Sequence, residues 1–294
     1  MKKLLAVCLT AALTVGMIAG CGGNNGSEGS GDEGSGSSAK TAKVIDVDLT
    51  NEEYAFGVDK SQPELLEQVN AFIAKIQEDG TLDEIFDRYF GNGEPMPVES
   101  AALDESKDQL VVATNAAFEP FEYMQGESYV GIDMEIASLL AEELGQELVI
   151  QNMDFDAVCL SVGQQKCDIA MAGLTVSEER KEYVTFSDTY YQASQRLIVP
   201  SSDTAFDDMT DAESIAAALT ELDSSVKIGV QQGTTGQGYV EGSEDLGFAG
   251  LEATCQTYKS GSLAVQDMLN GNIDYVIIDA APAAAITEAI NEMQ

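Results

Sequence analysis

Arginine is scarce in this chain of 294 residues: Arg88, Arg180 and Arg196 stand among 51 Asp and Glu. A guanidinium can grip a carboxylate through two parallel hydrogen bonds. Arg180 follows the run 168–172 by one helical turn, with Gly173 and Thr175 between them. A second feature is Gly233-Thr234-Thr235-Gly236, after the run Lys227–Gln231 and before a helical pattern. Backbone N–H groups at Thr234 and Thr235 would point at an anion there, with the helix dipole behind them. Asp279 ends a third run, Tyr275–Asp279, and can take an ammonium. Asn115, Phe118 and Phe121 follow a fourth, Leu110–Thr114, and phenyl faces can cover an aliphatic stem. An arginine, a helix start, an aspartate and aromatics are the complementary parts of a free α-amino acid. Each alone has a plainer reading: Arg180 as a solvated helix charge, Gly233–Gly236 as a turn, Asp279 as an N-cap, Phe118 and Phe155 as core. Their joint occurrence at four strand ends favours a site.

Such groups need a scaffold that delivers them to one place. Apolar patterning predicts strands at Lys43–Leu49, Glu53–Val58, Leu110–Thr114, Leu148–Gln151, Asp168–Ala172, Arg196–Val199, Lys227–Gln231, Ala253–Tyr258 and Tyr275–Asp279. A capping box at Ser61–Glu64 opens a helix whose apolar face is Leu65, Leu66, Val69, Phe72, Ile73 and Ile76. Thr81–Glu84 caps a second, shorter helix. Further helices are expected over Ile132–Leu144, Asp156–Gly163, Ala212–Leu222, from about Thr235, and over Leu263–Leu269 and Pro282–Asn291. Strands alternating with helices argue an α/β fold with mostly parallel sheets, and the break at Thr204–Asp211 divides it into two lobes. In open sheets of this kind ligands bind beyond the carboxyl ends of the strands, where the groups above all fall.

A formal net charge of −37 repels phosphate backbones and argues against a nucleic-acid partner. With no His, the usual general base and the usual zinc ligand are missing. No catalytic residue, metal or cofactor is therefore assigned; an enzyme here would rest on carboxylates alone. Cys159, Cys167 and Cys255 are odd in number and cannot all pair within the chain. Cys159 and Cys167 could bridge, but their placement suits buried free thiols better.

At the N-terminus, Lys2 and Lys3 precede an uncharged run to Gly20, so residues 1–20 read as a secretory signal. Its end, Ile18-Ala19-Gly20-Cys21, resembles the lipobox of bacterial lipoproteins. That resemblance implies cleavage before Cys21 and a lipid on its thiol, the alternative being a signal anchor that stays in the membrane. Residues 21–42 read as a Gly/Ser-rich flexible tether.

Several motifs together resemble the polar amino-acid-binding proteins of ABC importers, bacterial extracellular solute-binding proteins of family 3. They are Ala113–Tyr123 (ATNAAFEPFEY), Gly131–Ile136 (GIDMEI), Met153–Asp156 (MDFD), Ala172–Arg180 (AGLTVSEER), Phe186–Tyr191 (FSDTYY), Gln232–Thr235 (QGTT) and Tyr275–Asp279 (YVIID). The resemblance implies a two-lobed type II periplasmic-binding-protein fold with two hinge crossings. It places Gly173, Thr175 and Arg180 on the ligand carboxylate with Thr235 helping, and Asp279 on the ammonium. Asn115 stands where many members carry Asp, so its own part in the ammonium site is weaker. Phe118 and Phe155 pack on the side chain, with Glu119 and Gln231 beside them, a set that admits a polar or a cationic ligand. The implied partners are an amino acid and an ABC permease, for a monomer held to the membrane through Cys21. A sensor module with the same binding chemistry is the alternative.

One block is out of order. Leu49–Val58 (LTNEEYAFGV), Pro63–Leu66 (PELL), Asp79–Ile85 (DGTLDEI) and Tyr89–Gly91 (YFG) resemble the family's C-terminal segment, yet precede the rest, and the chain stops at Gln294 where that segment would follow. A circular permutation accounts for this, with Gly91–Asp108 joining the family's usual ends. Lobe 1 would then run over 52–198 and lobe 2 over 43–51 plus 199–294, with crossings near Thr50–Tyr54 and Arg196–Pro200.

Overall fold

The computed structural model describes residues 40–91 and 93–293. The signal segment, Cys21 and the tether as far as residue 39 lie outside the described residues. The chain runs β1 (Ala42–Val44), β2 (Glu52–Asp59), α1 (Pro63–Glu78), α2 (Thr81–Phe90), β3 (Gln109–Thr114), then a meander of β4 (Ala117–Phe118), β5 (Glu122–Gln125) and β6 (Ser128–Val130). It continues through α3 (Ile132–Leu144), β7 (Glu147–Asn152), α4 (Phe155–Gly163), β8 (Ile169–Ala170), α5 (Glu178–Lys181), β9 (Val184–Ala193) and β10 (Gln195–Pro200). Last come α6 (Ala212–Thr220), β11 (Lys227–Gln231), α7 (Thr235–Glu241), β12 (Thr254–Tyr258), α8 (Gly261–Asn270), β13 (Tyr275–Asp279) and α9 (Ala280–Glu292).

Two mixed sheets form the two lobes of the α/β fold. One has the order β7-β3-β8-β2-β9, the other β1-β10-β13-β11-β12. In the first, β3 runs parallel to β7 and β8, while β2 runs antiparallel to β8 and β9. In the second, β11 runs parallel to β12 and β13, while β10 runs antiparallel to β1 and β13. Each sheet therefore holds two parallel and two antiparallel ladders and is less parallel than expected, because the strands nearest the crossings enter against the βα units. β9 ends at Ala193 in one sheet and β10 starts at Gln195 in the other. This crossing sits at Ser194, earlier than the Arg196–Pro200 expected, and all of 195–200 belongs with the second sheet. The other crossing is 45–51, between β1 and β2.

Helix α1 shows how the sequence builds a lobe. Pro63 and Glu64 suit the first turn, and Leu65, Val69, Phe72, Ile73 and Ile76 are buried on one face. That face packs against β9, β2 and α3. The expected Ser61 cap does not form: Ser61 gives its N–H and hydroxyl to Asp59, leaving Gln62 as N-cap. Likewise Gly80, at φ 84°, opens α2 in place of Thr81. β1 is shorter than the strand expected over Lys43–Leu49, although Ile45 and Leu49 still donate backbone bonds to Leu197 and Gln195. The tether expected to reach 42 ends sooner, since Ala42 already pairs with Pro200. β9 and the β4–β6 meander were not expected at all. Cys159 and Cys167 are buried and free, and Cys255 is half-buried and free.

Candidate functional site

The turn after β8 carries the first group. Gly173 lies at φ 53°, and a Cβ there would stand 3.0 Å from the Phe118 ring, so glycine is required. Its N–H donates to Asp133 (2.9 Å), which also accepts the Tyr190 hydroxyl (2.6 Å). Burial pushes the Asp133 carboxyl up to about 7 against the pull of those two bonds. Thr175 donates its hydroxyl to Glu52 at 2.6 Å. Ser177 caps the following turn by accepting the Arg180 N–H. The Arg180 side chain then spans the cleft: Nη1 donates to the Thr175 carbonyl (2.7 Å) and Nη2 to the Gly233 carbonyl (3.1 Å). Its guanidinium lies 5.2 Å from the centre of the Phe155 ring.

Opposite stands the start of α7. Gly233, at φ 78°, passes so near Asp156 that a Cβ would sit 3.0 Å from that residue's own Cβ. The Thr234 hydroxyl donates to the Gln231 carbonyl (2.7 Å), and Thr235 is buried. Phe155, Arg180, Gly233, Thr234 and Thr235 line one cavity of about 400 Å³. Four further contacts join the walls: Gln231 to Asn115 (3.0 Å), Gln232 to Asp156 (2.8 Å), Lys259 to Asp154 (2.9 Å), and the N–H groups of Glu178 and Glu179 to Asp245 (3.0 and 3.1 Å).

Asp279 ends β13 and is 5 % exposed. It accepts the Tyr54 hydroxyl and lies opposite Gln195 in the β10–β13 ladder. Burial, then the charge of Glu52, pushes its carboxyl up to about 7, while bonds from Tyr54 and Gln195 pull it down. Glu52 accepts from Thr50 (2.6 Å), Thr175 (2.6 Å) and Gln195 (3.1 Å). Asp279 also lines a cavity of about 150 Å³ with Tyr54, Tyr191, Ser194 and Arg196.

The residues singled out in the sequence fall into two neighbourhoods, with Asp279 on a cavity separate from that of Arg180. Arg180, Phe155, Gly233, Thr234 and Thr235 share a cavity, and Gly173 packs on Phe118. Thr175 differs from expectation, because its hydroxyl is taken by Glu52. Asn115 is committed at both ends, donating to the Met153 carbonyl (2.6 Å) and accepting from Gln231. Glu119 is exposed and lines neither cavity, and partial burial and the charge of Glu288 push its carboxyl up. Sequence reasoning missed Glu52, Tyr54, Gln195 and Asp133. The first two lie more than 200 positions from Asp279, and only side-chain contact between the two sheets brings them to it. Among the described residues no group of three or more His, Cys, Asp or Glu converges as a metal site, and no helix is long and apolar enough to cross a membrane.

Known proteins resemble this chain. The arginine-binding extracellular protein ArtP of Bacillus subtilis is 35 % identical over 112 residues, 38 % of this chain and 44 % of that one. The histidine-binding periplasmic protein of Salmonella typhimurium is 27 % identical over 187 residues, 63 % of this chain and 66 % of that one. The chain thus spans about half to two thirds of the length of these curated relatives. Among solved structures, an ancestral arginine-binding protein bound to arginine matches with 30 % identity and a TM-score of 0.53, over 62 % of this chain and 75 % of its own. Holo ArgBP of T. maritima matches with 32 % identity and a TM-score of 0.52, over 64 % and 77 %. All are named as binding proteins. The model of the bacterial extracellular solute-binding proteins, family 3, matches residues 12–92 and 110–292, and the chain belongs to that family.

Proposed function

We propose that this protein captures a free cationic amino acid between its lobes and delivers it to an ABC importer, held at the outer face of the membrane by a lipid on Cys21. The observation that carries the reading is Arg180, which reaches from the β8 turn of one lobe to Gly233 at the start of α7 in the other. A carboxylate placed there would meet the guanidinium together with the α7 N-terminus at Thr234 and Thr235. The ammonium would go to Asp279. Preference for a cationic side chain draws on two facts. Relatives are named for arginine and histidine, and the cleft is rich in acceptors, with Gln195 Oε1 and Gln231 Oε1 buried and unpartnered in the protein. Closure is a hinge motion at Ser194 and 45–51, driven by contacts that only both lobes together supply. A thermal-shift panel of the common amino acids tests this: arginine, lysine or histidine should raise the melting temperature most. No response to any of them would end the reading.

The circular permutation belongs to the same proposal. β1, β2, α1 and α2 come early in the chain, yet they supply an edge strand to the sheet of Asp279 and an inner strand and two helices to the lobe of Arg180. Asn291, near the end of α9, donates to and accepts from the backbone of Ala42 (2.8 and 2.9 Å). The family match in two segments, interrupted at 93–109, supports a joined-ends linker there. Moving residues 40–91 to follow 293 through a short linker should yield a folded protein with unchanged ligand affinity. Loss of folding in that variant would count against permutation. For the anchor, Cys21→Ser should release the protein from membranes.

A further inference from the structure

Resting on the ligand site just proposed, we infer that Glu52, buried beside Asp279, makes binding an exchange in which the ligand's ammonium displaces a proton from Asp279 to solvent. Two carboxylates, 6 % and 5 % exposed, stand where the lobes cross. Among the described residues neither meets a cationic side chain. Asp279 has the Tyr54 hydroxyl and the Gln195 amide, and Glu52 has Thr50, Thr175 and the same amide. Gln195 donates its NH₂ group to Glu52 and lies opposite Asp279 in the β10–β13 ladder, so it stands between the pair. Its Oε1 is buried without a partner, and a Cβ on Gly236 in the first turn of α7 would stand 3.0 Å from it. An orphan acceptor beside two buried acids calls for a donor that carries positive charge.

The surroundings supply no such charge. From β2 come Glu52 and Tyr54, from β5 Glu122, from β9 Tyr191, and from the crossing segment Asp48. Arg196 on β10 lines the same small cavity, but its guanidinium is taken by Asp46 and Asp48 at 2.5 and 2.7 Å. Glu122 is wholly buried with both oxygens unpartnered. Burial, then the charges of Asp133 and Asp279, pushes it well above the ordinary carboxylate range. Two anions cannot sit together in such a place at low cost, so Asp279 takes a proton, consistent with its carboxyl standing near 7. When a ligand's –NH₃⁺ arrives, Asp279 gives up that proton to water and pairs as a carboxylate. Glu52 acts here as a positioning charge: it raises the proton affinity of Asp279 and hence the pH below which binding weakens.

The test is calorimetry of L-arginine, whose own groups do not titrate near neutrality, in buffers that differ in ionisation heat. The expected release is about one proton per arginine at pH 6, falling toward none above about pH 8. Affinity should then fall up to about tenfold per pH unit below neutrality. Glu52→Gln should shift that profile to lower pH, and Tyr54→Phe, which removes a bond that pulls the carboxyl down, should shift it to higher pH. A merely structural role for either residue would not move the midpoint in opposite directions. Arginine binding with no proton release at pH 6 would overturn the inference. If no amino acid binds, the functional reading fails instead. Carbon NMR of the Asp279 carboxyl without ligand then decides the Glu52 coupling. A midpoint near 7 that drops in Glu52→Gln supports it, and one in the ordinary acidic range overturns it.

Discussion

At the Arg180 end of the cleft the charged group is held by backbone, whereas at the Asp279 end it is held by side chains. Arg180 is half-buried, and its partners are the neutral carbonyls of Thr175 and Gly233. Carbonyl bonds orient a guanidinium without cancelling its charge, so in the proposed function that end would meet a carboxylate at any ordinary pH. Asp279 is almost wholly buried among Tyr54, Gln195 and Glu52, and its charge depends on pH. Under the proposed function, one end of the site would be a fixed charge and the other a titrating one. They also come from different parts of the chain. The Arg180 end uses residues after β8 and β11, while the Asp279 end needs residues from the early block.

That dependence on the early block gives the largest expected effect. Deleting 43–90 removes β1, β2, α1 and α2, with Glu52 and Tyr54 among them. Losing the face formed by Leu65, Val69, Phe72, Ile73 and Ile76, and so uncovering the β9 and α3 surfaces it packs on, would alone forfeit on the order of 10 kcal/mol before entropy is counted. That is comparable to the stability of a whole domain, so the truncated chain should show no cooperative melting. A truncated protein that melts cooperatively and binds arginine would make the block an appendage.

Next comes the fixed charge. Arg180→Ala should weaken ligand binding by about 3 kcal/mol, roughly a hundredfold, because the ligand carboxylate would be buried without its charge partner. Folding should change little, since the side chain is half-buried and bonds only two carbonyls. Calorimetry with arginine gives the first number and thermal melting the second. Near-native affinity in this variant would move the carboxylate site elsewhere.

How far the sequence revealed the two ends follows the same division. The Arg180 end was legible because its parts are local: a glycine, a threonine and an arginine within eight residues, and a helix start at Gly233–Gly236. Helix α1 and β3 were legible through apolar spacing. β9 was not, since Thr185, Ser187, Asp188, Thr189 and Gln192 break its alternation, and its pairing with β2 slips register twice. The β4–β6 meander has strands of two to four residues, too short to show a period. The capping box at Ser61 misled because Asp59, two residues earlier, competes for the same serine. Partners of Asp279 were hidden for a different reason. Glu52 and Tyr54 begin an edge of the crossing, and nothing local marks which distant strand they will face.

The titrating end sets the pH dependence of stability without ligand. Asp279 and Asp133 stand at about 7 and Glu122 is held well above the ordinary carboxylate range, each chiefly through burial. Folded carboxyls raised above their unfolded value contribute stability that is complete below about pH 4 and is lost as pH rises through about 7. In the other direction, hydrogen bonds lower surface acids such as Asp267 and Asp223, and their contribution is lost only as pH falls below the ordinary carboxylate range. The melting temperature of ligand-free protein should therefore fall between about pH 5 and pH 8, by several degrees. Repulsion within a chain of net charge −37 acts in the same direction. A flat or rising profile would show that the buried acids are not protonated in the folded state.

The smallest effect expected belongs to an exposed contact on the wall of the Arg180 cavity. Asp245, on the loop after α7, accepts the backbone N–H groups of both Glu178 and Glu179, so one lobe supplies the anion that caps a turn of the other. The contact exists only while the walls are together, and it lies beside Arg180 without bonding it. Asp245 is exposed, so solvent replaces much of what the bond gives. Asp245→Ala should leave the association rate of arginine unchanged and raise its dissociation rate about threefold, because only the closed state loses a contact. Glu119→Gln, exposed and away from both cavities, should alter neither rate appreciably. A slower association in Asp245→Ala would mean that the loop guides the ligand in. An equal effect at Glu119 would mean that both residues act through surface charge, and the division between a fixed and a titrating end would then need a third, long-range component.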